Sequence, residues 1–293
     1  MQNALTIDVE DYYQVSNFEK QIDRAHWPGY ASRVVTNTER LLELLARHGV
    51  QATFYILGYV AEQHPELVRH IDAAGHEIGS HSYWHRLVYD LSPDEFRDDL
   101  RRSRDVLQNL TGKPVTTFRA PSFSITKRSL WALEILAEEG FTTDSSIFPV
   151  RHGRYGIPDA PCEPHALQFA AGQLWEFPVT VYRAGKLANV PIAGGGYFRL
   201  FPLAVTMQLL RRVNVRHHRP FVFYVHPWEF DPQQPRLRAG SRIQRFRHYV
   251  NLSTTEAKLT RMLKEFHFGR LDHVLAAYLQ DGTEAPASLA VAT

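Results

Sequence analysis

The chain has 293 residues, 44% of them hydrophobic and 22% charged, with a formal net charge of +2. That is enough apolar material for a sizeable core under an ordinary charged surface, which excludes a disordered chain. The near-neutral balance argues against a strong electrostatic hold on nucleic acid or on anionic lipid.

The length fits one large domain or two small ones. A single cysteine, Cys162, leaves no intrachain disulfide. No run of about 18 apolar residues occurs, so no membrane span is expected. An apparent strand opens the chain with no basic and apolar leader ahead of it, which reads as a cytoplasmic protein.

Residues 4–9 read as a short buried strand that ends on the acidic run Asp8-Val9-Glu10-Asp11. A long loop follows over 10–35. Thr36-Asn37-Thr38-Glu39 has the form of a capping box, opening a helix through Leu41, Leu42, Leu44 and Leu45 that stops at Gly49. Residues 50–57 are β-branched and aromatic, hence a strand. A helix over 62–74 stops at Gly75. Residues 76–80 form the next strand, from which His81-Ser82-Tyr83-Trp84-His85 departs. Ser92-Pro93-Asp94-Glu95 is a second capping box, with proline at the first helical position and a helix running to about Leu110. Strands over 116–119 and 141–144 flank a helix over 126–139.

This alternation predicts an α/β fold of parallel strands joined by right-handed crossovers. In such folds the chemistry sits at the C-terminal ends of the strands, where Asp8, His81, Arg119 and Asp144 all fall.

After residue 150 the pattern loosens. Residues 151–173 read as an irregular excursion, and 174–181 as a strand whose proline suits an edge position. Gly194-Gly195-Gly196 is not a nucleotide fingerprint, because no strand–glycine-loop–helix unit surrounds it. A helix over 202–213 leads to an apolar final strand, 221–225, ended by His226. Helices over 253–268 and 271–279 close the chain. Residues 281–293 read as a disordered tail, and no linker suggests a second domain.

Two imidazoles four residues apart lie on one face of a helical turn, a chelating arrangement for His81 and His85. With one carboxylate they make a three-ligand site with positions left for water, the pattern of a catalytic metal. Close-spaced carboxylates repel unless a cation compensates. The run at 8–11 is therefore either a solvated acidic turn or part of such a site; the apolar residues before Asp8 favour the site. Arg119 is either a surface group or the partner that holds Asp8 ionised and oriented. His226 is either a satisfied core histidine or a proton donor at the mouth of a barrel. Asp144 either hydrogen-bonds His226 or caps a turn. Trp84, Trp175, Trp228 and Tyr197 are each core residues or together an aromatic wall for a sugar ring. Together these groups describe metal-assisted hydrolysis, with a carboxylate base and a histidine acid.

His81-Ser82-Tyr83-Trp84-His85, Arg119-Ala120-Pro121-Ser122-Phe123, Phe141 to Ile147 and Val225-His226-Pro227 resemble, in order, motifs of the polysaccharide deacetylases of carbohydrate esterase family 4, the NodB-homology domain. The resemblance implies a distorted (β/α) barrel of about seven strands. It also implies a divalent metal, zinc first with other divalent ions fitting, and removal of acetyl groups from sugars. It makes Asp8 the base, Arg119 its orienting partner and His226 the acid, with Asp144 beside them. His81, His85 and either Glu10 or Asp11 hold the metal; the i, i+2 relation along a strand favours Glu10. Trp84, Pro121, Tyr197, Arg199 and Trp228 become candidates for substrate contact.

The Asp-Val-Glu-Asp start, Gly194 to Arg199 and Phe246 to Leu252 resemble a narrower subgroup found with exosortase-associated exopolysaccharide loci, which carries a C-terminal extension, here about 195–280 of a domain spanning 1–280. The expected activity is N-deacetylation of amino sugars in an exopolysaccharide or its precursor. The expected partner is an acetylated oligo- or polysaccharide, with no nucleic acid and only peripheral contact with lipid-linked glycans; oligomeric state is left open. The alternatives are hydrolysis of a non-sugar amide, as in an allantoinase-like branch, and an inactive carbohydrate-binding scaffold.

Overall fold

A computed structural model describes residues 1–185 and 188–280. The expected tail, 281–293, lies outside the described residues. The elements run β1 (Gln2–Val9), α1 (Val34–Arg47), β2 (Thr53–Ile56), α2 (Gly58–Gln63), α3 (Pro65–Ala73), β3 (Glu77–Ser80), α4 (Pro93–Thr111), β4 (Thr117–Phe118), α5 (Trp131–Glu138) and β5 (Thr143–Asp144). The second half adds β6 (His165–Phe169), β7 (Gly172–Glu176), β8 (Val181–Ala184), β9 (Ala188–Pro191), α6 (Gly195–Leu200), α7 (Leu203–Arg216), β10 (Val222–Val225), α8 (Arg242–Tyr249), α9 (Thr255–Glu265), β11 (His267–Gly269) and α10 (Leu271–Gln280).

Seven strands run parallel in the order β10-β1-β2-β3-β4-β5-β7. β6 lies antiparallel on the outer edge of β7, and β11 pairs with the first residues of β1. The ladder is not continuous from β7 round to β10. At that seam the Val222 N–H donates to the Thr180 hydroxyl, the Tyr224 N–H donates to the Ala193 carbonyl, and Gly194 bridges Tyr224. Gly194 has φ +135°, and a Cβ there would meet the Tyr224 carbonyl oxygen at 1.9 Å. The glycine run is explained by this close passage against β10.

Strand parity divides β1 between two environments. Leu5, Ile7 and Val9 pack outward into the main core with Leu41, Leu44 and Leu45 of α1 and Leu100 and Leu107 of α4. Thr6 and Asp8 face the interior, where both accept from Arg119. Glu10 continues that parity one residue past the strand.

Several expectations need correcting. Residues 62–74 are two helices, because Pro65 lacks the N–H that a continuous helix would use and instead opens α3. The excursion over 151–173 contains β6, so β7 is an inner strand and Pro178 lies beyond its end. Ser92 and Glu95 do form a reciprocal capping box. Thr36 does not cap: α1 starts earlier, at Val34, and its N-cap Arg33 supplies no side-chain bond.

The cap comes instead from Asp11, whose Oδ2 accepts from the Arg33 N–H at 2.9 Å, the Val34 N–H at 3.2 Å and the Ser32 hydroxyl at 2.8 Å. A carboxylate on the orphan donors of a helix start is favoured by hydrogen bonding and by the helix dipole. Asp11→Ala is therefore expected to lower unfolding stability by about 1–2 kcal/mol in urea titrations, a loss that Asp11→Asn largely restores.

Candidate metal centre

The segment 81–87 is not helical. Ser82 and His85 have φ of +67° and +53°, a left-handed conformation uncommon for such residues. The loop is clamped from several sides. The Tyr83 and Trp84 N–H groups donate to the two carboxylate oxygens of Asp99 on α4, at 2.7 and 3.0 Å. The His85 N–H donates to the Ser82 hydroxyl at 3.0 Å, and Arg24 holds the Trp84 carbonyl at 2.7 Å. The turn places the two imidazoles 5.3 Å apart, centroid to centroid, so the histidines converge by a route other than the helical spacing.

Glu10, His81 and His85, all buried, offer ligand atoms within 4.8 Å of one another. His81 Nδ1 lies 2.7 Å from the Arg119 carbonyl oxygen. A carbonyl only accepts, so Nδ1 carries the proton and Nε2 keeps its lone pair. Burial pushes the His81 pKa down to about 4, leaving the ring neutral as a ligand must be. Glu10 Oε2 sits 2.7 Å from His85 Nε2, yet this oxygen lacks a partner in hydrogen-bonding geometry. A buried carboxylate oxygen without a donor, beside two imidazoles, suits a bound cation. Burial raises the Glu10 carboxyl, but the imidazoles of His85, His226 and His81 outweigh it and bring the pKa to about 2. These residues fit a divalent ion.

The carboxylate alternatives separate here. Glu10 joins the histidines, steadied by the Trp228 indole N–H at 3.1 Å from Oε1. Asp11 is turned to α1, with Oδ2 on the helix start and Oδ1 accepting from the Tyr12 N–H, and does not join the cluster.

Arg119, fully buried, donates to Asp8 Oδ1 at 2.9 Å, to the Thr6 hydroxyl at 2.6 Å, and to the carbonyl and hydroxyl of Ser145 at 3.0 and 2.8 Å. His226 Nε2 lies 3.9 Å from Asp8 Oδ2 and 3.6 Å from Glu10 Oε1. Its Nδ1 donates to Glu229 Oε2 at 3.0 Å. Burial opposes charge on His226, but Glu229, Glu10 and Asp8 prevail and lift its pKa to about 9. Glu229 in turn accepts from Arg199 Nε at 2.7 Å.

Asp144 does not bond His226. It faces Glu176 on β7: Asp144 Oδ2 and Glu176 Oε2 are both buried with no donor. Burial and the Asp144 charge push Glu176 well up, and burial lifts Asp144 to about 6. Both shifts favour a proton held between the two carboxyls.

A cavity of about 400 Å³ opens beside Glu10 and His226 and is lined by Tyr197, Arg199 and Trp228 among others. Arg199 is committed to Glu229 and to the carbonyls of His248 and Val250, and Trp228 to Glu10, so both position other groups. Trp84 packs away from the cavity on Tyr83 and Tyr59, with ring centroids 4.7 and 5.6 Å off. Pro121 is buried and starts the turn that gives Ser122 and Phe123 to the cavity wall.

Asp99 and Glu176 escaped the sequence reading, since neither sits in a recognisable spacing, and Ser145 was given no role although it lies in the motif-like segment Phe141 to Ile147. Glu229 had a signal: it stands three residues after His226 across a proline, the reach of a capping side chain.

Residues 27–142 match the family profile described as polysaccharide deacetylase. That match covers less than half of the chain. Residues 145–276 match a domain of unknown function (DUF3473). A peptidoglycan-N-acetylglucosamine deacetylase from Bacillus cereus is 36% identical over 98 residues, 33% of this chain and 36% of that protein. A peptidoglycan-N-acetylmuramic acid deacetylase from Bacillus subtilis is 27% identical over 119 residues, 41% of this chain and 44% of the relative. The chain thus spans less than half the length of either. A crystal structure assigned to a polysaccharide deacetylase from Mycobacterium smegmatis has the same fold, with a TM-score of 0.64 at 20% identity, over 99% of this chain and 93% of the other. The deacetylase match holds His81, His85 and Arg119, while Asp8 and Glu10 precede it and His226 follows it.

The shared proton sets a pH dependence. Glu176 is protonated in the folded state at pH values where the unfolded chain has already released that proton. Stability is therefore lost as pH rises from the ordinary carboxyl range through the raised pKa. Glu176→Gln keeps the acceptor for the Ile147 N–H and donates to Asp144. Its melting temperature should exceed that of the wild type at pH 8, with the difference vanishing toward pH 4.

Proposed function

We propose that this chain is a metal-dependent hydrolase that removes N-acetyl groups from amino sugars of an exopolysaccharide or its precursor. The observation that carries the reading is the convergence of Glu10, His81 and His85 with the Arg119-held Asp8 and the Glu229-held His226, at the C-terminal ends of parallel strands and beside one cavity. The match over 27–142 and the relatives named as peptidoglycan deacetylases support the reaction class. The second match, over the segment whose motifs resemble the exopolysaccharide-associated subgroup, supports the choice of polymer. The pairing of β10 and β11 with β1 supports reading 1–280 as one unit.

Glu10, His81 and His85 would hold the divalent ion, zinc in first place, which when bound supplies Lewis-acid polarisation of the acetamide carbonyl and of water. Asp8, oriented by Arg119, accepts the proton of the attacking water. His226 presents Nε2 to the cavity and gives its proton to the departing nitrogen, so the carbon–nitrogen bond breaks to acetate and a free amine. Glu229 fixes the ring's tautomer and orientation. The cavity has the volume for a sugar unit, and Tyr197 and Trp228 give it aromatic faces.

His81→Ala and Glu10→Ala are each expected to lose bound metal, read by elemental analysis, together with acetate release from N-acetylated oligosaccharides; a variant that kept both would refute the ligand set. Asp8→Asn should keep its metal and lose turnover by about 10²–10⁴-fold. Glu229→Gln should lower kcat by roughly tenfold or more with KM little changed, measured on the same oligosaccharides.

A further inference from the structure

The overall charge of +2 hides a strongly uneven distribution. Arg236, Arg238, Arg242, Arg245 and Arg247 fall within twelve residues, and no aspartate or glutamate occurs between Asp231 and Glu256. Elsewhere on the surface arginines sit on carboxylates, as Arg97 and Arg101 do on Glu139 and Arg86 does on Glu95. Among the described residues none of these five forms an ion pair; Arg236 lies over the Tyr249 ring, 4.2 Å from its centroid.

The same segment carries large apolar side chains in water. On α8, Ile243 is 65% exposed and Phe246 61%, and across the cavity rim Leu200 is 42% exposed. The helix is built to present them. Ser241 and Gln244 form its capping box, while His248 is buried, stacked on Trp228 at 4.3 Å and bonded to Gln234. With His248 turned inward, Ile243 and Phe246, three residues apart, share the outer face, flanked on the helix by Arg242 and Arg247. Arg247 and Leu200 also line the cavity, so this face adjoins its mouth.

We propose that α8 and the arginine-rich segment before it dock the protein on an anionic lipid surface, with Ile243 and Phe246 entering the headgroup region. Unpaired arginines supply attraction to acidic headgroups, and apolar side chains on the same face supply insertion; together they are the physical signature of an interfacial helix. A soluble polyanion would need the cations alone and would leave Ile243 and Phe246 exposed. Docking by this face turns the mouth of the cavity toward the membrane. The inference is independent of the deacetylase reading, since adsorption requires no turnover.

The test is cosedimentation of the full chain with vesicles of phosphatidylcholine, alone or with phosphatidylglycerol, at low and high salt. The wild type should bind the anionic vesicles only, more weakly at high salt. Arg242→Ala/Arg245→Ala should weaken binding roughly twentyfold, and Ile243→Ser/Phe246→Ser about tenfold or more. None of these four residues lines the cavity, so thermal melting and acetate release from water-soluble oligosaccharides should stay unchanged in both variants. Absence of binding to anionic vesicles overturns the proposal. So does binding that survives loss of Ile243 and Phe246, which would make the surface a site for a soluble polyanion. If the wild type released no acetate, the deacetylase reading would fail while the vesicle result stood.

Discussion

The Arg119 guanidinium, with no exposure to solvent, ties together the parts on which the site depends. Its donors reach Thr6 and Asp8 on β1 and Ser145 just after β5, its carbonyl oxygen takes the Nδ1 proton of His81, and its charge lies over the Tyr55 ring of β2, 4.4 Å from the centroid. One side chain therefore sets the orientation of the proposed base and, through its own backbone, the tautomer of a proposed ligand. A buried ion pair of this kind costs desolvation, which is offset only where the remaining donors are satisfied; here Nε, Nη1 and Nη2 all have acceptors. Removing either partner would strand a charge inside the sheet.

Arg199 repeats the arrangement on the other side of the cavity. It holds Glu229, which holds His226, and its remaining bonds go to backbone carbonyls at the end of α8. The Arg119 assembly joins β1, which precedes both matches, to Arg119 in the deacetylase match and Ser145 at the start of the second, whereas the Arg199 assembly lies wholly within the second match. Neither segment contains a complete set of reacting groups. The segment of unnamed function thus supplies the histidine proposed as the acid and most of the cavity wall.

Much of the first half was legible because its information is local. Parity along β1 put Thr6, Asp8 and Glu10 on one face, and Ser92 with Glu95 marked the start of α4. What failed was information carried by distant contacts. Thr36-Asn37-Thr38-Glu39 has the right residues for a cap, but a carboxylate from the loop after β1 had already taken the helix start. The two histidines do converge with Glu10, but not on a helical turn, because Asp99, fourteen residues beyond His85, holds the loop in a left-handed conformation. Trp84 belongs to an aromatic cluster outside the cavity for the same reason. Asp144 could have bonded His226 or capped a turn; it accepts from the Ser146 hydroxyl two residues on and meets Glu176 on an adjacent strand, a pairing nothing in the sequence announces. Beyond residue 150 short strands, hairpins and glycine-rich passages depend on the seam with β10, so periodicity carries little there.

The place of β10 has a consequence for how the molecule is made. β1 is synthesised well before its neighbour β10, which sets Val222 opposite Ala4 across 218 residues of chain. Until then the first strand keeps one row of amide and carbonyl groups unpaired, a template for other chains. Contacts of such long range also make closure slow. A chain ended before residue 222 would lack β10 and the core side chains of α9 and α10, and would leave one flank of β1 open.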